Sequence, residues 1–149
     1  MDYWQKRKLK KWIIFGVLVF AAILCIRELL QVHAYAVTIK YVEDAETYRS
    51  SRGYTWAVSS RDQEDIREWA DLMQEIRWKG DKMDSGTLDR PFPCYMVEFR
   101  IKKGAWVAMM QVTENRVGCA YQLLGGDVFD FGSDSSFYER VGKMTKKMR

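Results

Sequence analysis

Residues 12–26 read Trp-Ile-Ile-Phe-Gly-Val-Leu-Val-Phe-Ala-Ala-Ile-Leu-Cys-Ile, a run without one charge. Lys10 and Lys11 bound it on one side, Arg27 and Glu28 on the other. A helix rises about 1.5 Å per residue and the hydrocarbon core of a bilayer is about 30 Å thick. The strict run is short for a crossing, and Leu29 and Leu30 complete it if Arg27 and Glu28 snorkel to the headgroups. Tyr3, Trp4 and Trp12 stand where aromatic belts stand. Lys6, Arg7, Lys8, Lys10 and Lys11 all precede the run, so the positive-inside rule puts the N-terminus in the cytoplasm. The expected organisation is a basic cytoplasmic segment (1–11), a signal-anchor transmembrane helix (12–30), a juxtamembrane linker (31–35) and an extracytoplasmic domain (36–149). The protein is then a single-pass cell-membrane protein, with the bilayer as partner of residues 12–30.

A cleaved signal peptide is the rival reading, with Ala34-Tyr35-Ala36 as an A-x-A site. The long, charged stretch between the run and that site argues against it. Leu24 before Cys25 is also too large for a lipoprotein site. Both readings export the same domain, and one-sided charge argues against a buried helix of a soluble protein.

The chain carries a net charge of +4, but six of its 24 basic residues and two of its 20 acidic ones lie in the first 33, leaving 18 of each. The exported domain is formally neutral and lacks the positive field of a nucleic-acid binder. Lys143, Lys146, Lys147 and Arg149 make a local exception. The plainer account is complementation of a helix C-terminus, the sharper one contact with anionic lipid or wall polymer.

Hydrophobic periodicity then sets the fold. Residues 36–42 alternate, with Val37, Ile39 and Tyr41 on one side, and residues 54–58 alternate with Tyr54, Trp56 and Val58 together. Residues 43–53 are a polar connection with some strand character near Thr47 and Tyr48. Ser60 and Gln63 fit a capping box; Ile66, Trp69, Ala70, Met73 and Ile76 then follow at helical spacing to Gly80, a C′ glycine. Residues 81–93 are a long loop.

Three strands follow, over 94–102, 105–113 and 116–124, joined by Lys103-Gly104 and Glu114-Asn115 as two-residue turns. That register opposes Ile101 to Trp106, Phe99 to Ala108, Val97 to Met110 and Tyr95 to Val112. Across the next pair it opposes Val112 to Val117, Met110 to Cys119, Ala108 to Tyr121 and Trp106 to Leu123. One face is thus apolar, and a one-residue slip would mix the faces. Gly125-Gly126 turns into a short strand at 128–131. Ser136 and Glu139 fit a second capping box before a helix with Phe137, Val141, Met144 and Met148 in its stripe. The order ββαβββ(β)α predicts an α+β two-layer domain, a largely antiparallel sheet with both helices on its apolar face.

Catalytic inventory is thin. The only histidine, His33, is juxtamembrane, which removes His-based triads, Cys–His pairs and His-ligated zinc. Cys94 and Cys119 have opposite parity two strands apart, so free thiols are expected. No metal or cofactor is expected. Asp127, Asp130 and Asp134 crowd one turn, most simply as turn and cap chemistry, and Glu98 is expected to be solvated on the outer sheet face. That face also carries Met96, Val107 and Met109 among Arg100, Arg116 and Gln122. These six are the candidate partner-binding residues; the alternative is that Leu88 or Phe92 of the 81–93 loop covers them.

A basic start, one apolar span and few cysteines together resemble the small, single-pass membrane-anchored proteins of unknown function from Gram-positive bacteria. The resemblance is one of layout and transfers no functional residue. The expected function is a non-catalytic, membrane-tethered binding or accessory module with a protein partner in the envelope. The alternatives are a carboxylate-dependent hydrolase of envelope polymers using Asp127, Asp130 or Glu98, and an envelope sensor subunit.

Overall fold

The structure is a computed structural model that describes residues 3–30, 34–83, 88, 91–122, 125–132 and 136–149, without the side chains of 26–30. The chain divides into two units, Met1–Val32 and His33–Arg149. In the first, α1 runs over Tyr3–Leu30. From Trp12 onward apolar residues occupy every side of it, and none of its described side chains is buried. Trp12 packs edge-on against Phe15, with centroids 6.1 Å apart. Among the described residues no helix is long and apolar enough to cross a membrane. The far end of the expected 12–30 span lies outside the described side chains, and 12–25 alone covers only about 21 Å.

The second unit is α+β, as the hydrophobic pattern predicts. Its elements are β1 (Ala36–Val42), α2 (Ala45–Arg49), β2 (Trp56–Ser60), α3 (Gln63–Lys79), β3 (Asp81–Lys82), β4 (Cys94–Arg100), β5 (Trp106–Val112), β6 (Arg116–Tyr121), β7 (Gly125–Asp130) and α4 (Ser136–Met148). The strands form one sheet in the order β2-β1-β4-β5-β6-β7-β3, antiparallel at every pairing.

The predicted register holds through the centre: Tyr95 opposes Val112, Val97 opposes Met110, Phe99 opposes Ala108, and Met110 opposes Cys119. It fails at one end, where Trp106 opposes Arg100 rather than Ile101. The reason is the turn. Gly104 takes φ 86, its N–H bonds the Ile101 carbonyl, and the Ile101 N–H bonds the Ala105 carbonyl. That is a three-residue loop with the glycine in the left-handed region, which inserts a bulge where a two-residue turn would not. The extra residue is Val107, so Trp106 shares the outer face with Arg100, and Ile101, just past the end of β4, is 38% exposed. The expected Trp106–Leu123 pair lies outside the described residues.

Other local corrections have similar causes. Ser60 ends β2 rather than capping α3; the cap is Asp62, which accepts from the Glu64 N–H at 2.9 Å. Residues 45–49 are helical, not strand-like, because Asp44 accepts from the Thr47 N–H at 2.7 Å and caps them. Gly125 and Gly126 begin β7 instead of forming a turn before it. Ser136 lies inside α4, not ahead of it. Gly80 ends α3 with φ −80, so its backbone is not left-handed. Glycine is required there by space, since a Cβ would lie 2.7 Å from Phe129 Cβ.

The core lies between one sheet face and α3 and α4. Val37, Ile39, Val97, Phe99, Met110, Val112 and Val117 are fully or almost fully buried against Trp69, Met73 and Ile76 of α3 and Val141 of α4. Each such side chain contributes about 1.5–3 kcal/mol on burial. Arg77 of α3 lies over the Tyr121 ring and Tyr138 of α4 packs on Tyr95, which fixes both helices on this inner face. The helices are joined by Trp69 Nε1 to Met148 Sδ at 3.1 Å and by Arg140 to Glu75 at 2.8 Å.

Candidate functional site

Strand alternation leaves Met96, Glu98, Arg100, Met109, Gln111, Arg116, Gly118, Ala120, Gly126 and Val128 on the opposite, outer face. A cleft of about 730 Å³ lies on this face, of ordinary size for a ligand site. One wall is α2, through Ala45, Tyr48 and Arg49, and the other is Leu88, Pro91 and Phe92. Tyr48 and Phe92 meet across it with ring centroids 5.6 Å apart. The floor is low because β6 and β7 present Gly118, Ala120 and Gly126, and Leu88 packs directly over Gly118. Met109, Gln111 and Val128 complete the base. Gln111 donates to the Pro91 carbonyl at 3.3 Å, which holds the loop wall to the sheet.

Of the six candidate partner-binding residues, only Met109 lines this cleft. Met96 is half-buried on the same face, Val107 is half-buried at the register shift of β5, and Gln122 is exposed just past the end of β6. Arg100 is engaged with Glu98 and, at 2.7 Å, with the Gly104 carbonyl. Arg116 pairs with Asp130 at 3.4 Å. The loop partly covers the face, as wall rather than lid. Residues 84–87, 89 and 90 of that loop lie outside the described residues. Tyr48 and Arg49 belong to the cleft but were not legible as site residues; the Asp44 cap and first-turn Glu46 were the signal for the helix that carries them.

The carboxylates do not converge. Glu98 is not solvated as expected but 7% exposed, held by Lys40 at 2.9 Å and by Arg100. Two cations answer its charge, which is why burial is tolerated. Asp127 pairs with Lys82 at 3.1 Å and opposes Cys119, whereas Asp130 pairs with Arg116. Asp134 and His33 lie outside the described residues. Both domain cysteines are free and buried. Burial pushes the Cys94 thiol up to about 11 despite the Gln111 hydrogen bond. It pushes Cys119 up to about 12, with Asp127 adding to the rise and Arg77 opposing it. Neither is a nucleophile at neutral pH. Among the described residues no group of three or more His, Cys, Asp or Glu is placed to hold a metal ion.

The fold and cleft define an antiparallel α+β domain with a cleft floored by small residues. No protein-family model, curated protein or solved structure matches the chain.

Proposed function

We propose that the chain is a membrane-tethered, extracytoplasmic, non-catalytic binding module, of the single-pass layout seen in Gram-positive bacteria. The cleft between α2 and the wall of Leu88, Pro91 and Phe92 is its recognition surface. The observation that carries this is the cleft itself: a mainly apolar base with Met109, flanked by Tyr48, Phe92 and Arg49, with each nearby carboxylate neutralised by its own base rather than poised for proton transfer. Apolar walls with few oriented polar groups suit binding. The tether reading rests on α1, whose apolar residues surround the axis behind a cluster of lysines; a helix apolar on every side suits lipid.

Two measurements test the parts separately. External protease on intact cells should degrade the 36–149 domain while an N-terminal tag stays protected; a protected domain overturns the topology. A photo-crosslinker at Met109 should trap a discrete envelope protein, while one at Lys102, on the exposed β4–β5 turn, should not. Equal or absent adducts at the two positions overturn the recognition surface.

A further inference from the structure

On the inner face, away from the cleft, the strand order β2-β1-β4 brings Trp56, Tyr41 and Tyr95 side by side, and α4 adds Tyr138. Tyr41 stacks on Trp56 with centroids 5.4 Å apart and planes 18° apart. Tyr95 lies 5.2 Å from Tyr41 and 6.2 Å from Trp56, and Tyr138 lies 5.1 Å from Tyr95. The four rings pack on one another as an aromatic box. The Tyr95 phenol is seated closely under Gly142 of α4, where a Cβ would come 3.1 Å from its oxygen.

One cation already rests on it: the Arg149 guanidinium lies 3.9 Å from the Trp56 ring centroid. Among the described residues no carboxylate pairs with Arg149. Arg149 is itself exposed, so it is a cation held chiefly by the Trp56 π face. Burial raises the Tyr95 and Tyr138 phenols above their ordinary value, so the box stays neutral through physiological pH. A neutral aromatic box attracts a cation through ring quadrupoles. It suits one that needs no hydrogen-bond acceptors, unlike a lysine ammonium with three donors to satisfy.

We infer that Tyr41, Trp56, Tyr95 and Tyr138 form a binding site for a quaternary ammonium head, with Arg149 as its intramolecular competitor. The site is independent of the cleft.

Calorimetric titration of the full chain in a maltoside micelle with choline tests this. The control is choline's neutral isostere, with tert-butyl in place of trimethylammonium. Arg149→Ala should bind choline about tenfold more tightly than the unsubstituted chain, and the isostere at least about tenfold more weakly than choline. Adding Trp56→Leu, which keeps apolar bulk and loses the π face, should abolish binding with the near-UV circular dichroism otherwise retained. Tyr138→Leu on α4 serves if the strand variant does not fold. No saturable choline binding by Arg149→Ala, equal affinity for the isostere, or indifference to loss of the ring overturns the site.

Discussion

The two faces of one sheet are finished differently. The inner face is roofed by α3 and α4 and filled with large side chains, from Phe99 at 0% to Trp69 at 1% exposure. The outer face has the five-residue α2 and a loop segment, with glycine and alanine where the inner face has valine and phenylalanine. A face covered by two amphipathic helices becomes core, whereas one flanked by short segments over small residues becomes a cleft. Yet the outer face is not simply wet: Val42, Cys94, Glu98 and Val128 are all buried there.

Substitutions can break that comparison. The largest effect is expected at Trp69→Ala, which should cost about 3–5 kcal/mol in urea unfolding because it empties the inner roof. A loss under 1 kcal/mol would mean the roof is not the core.

Alkaline pH tests both faces together. Both thiols have folded-state values above the ordinary 9.0, so the unfolded chain releases protons first as pH rises. Stability from their burial is complete below pH 9 and falls from there toward about 11 for Cys94 and about 12 for Cys119. Cys119→Ala should flatten the alkaline loss more than Cys94→Ala in a melting series across that window; the reverse order would make the outer thiol the drier one.

Glu98→Ala comes next. It strands Lys40 and Arg100, whose side chains are only 23% and 32% exposed, at about 2 kcal/mol. Glu98→Gln should lose less, since it keeps a hydrogen-bonding amide. Equal losses in chemical denaturation would show that shape, not charge, matters there.

Two glycines give the smallest and cleanest contrast, because the expected signs differ. Gly80→Ala drives a Cβ against Phe129 and Phe131 and should destabilise by about 1–3 kcal/mol. Gly118→Ala meets only Leu88, at 3.5 Å, and should stabilise by about 0.5 kcal/mol through lower unfolded-state entropy. The same Gly118 variant should weaken ligand capture by raising the floor. Shifts of one sign in both thermal melts would erase the distinction between roof and cleft.

Much of this was legible in the chain. Alternation in 94–100, 106–112 and 116–121 set both parity and central register, because a slip by one would expose valines and bury arginines. The stripe Ile66, Trp69, Met73 and Ile76 marked α3 and its buried side. What escaped was local or long-range. Gly104 could have taken a two-residue or three-residue loop, and only the backbone chose the register that set Trp106 opposite Arg100 on the outer face. Five residues are too few for periodicity, so α2 and the cleft wall it forms could not be read that way. Glu98 looked solvated because its parity is polar, and nothing in its neighbourhood of sequence named Lys40, which is 58 positions away.

The sequence by itself determined which side chains share a face, because a strand has period two, a helix period 3.6, and water sorts them. It also determined the neutral charge of residues after 33 and the absence of histidine beyond that point. Only the tertiary structure decided that β1 lies between β2 and β4, and hence that Tyr41, Trp56 and Tyr95 meet and Lys40 reaches Glu98. Strand order is set by which of many similar edges pair at least cost for the whole chain, and no local window contains that sum.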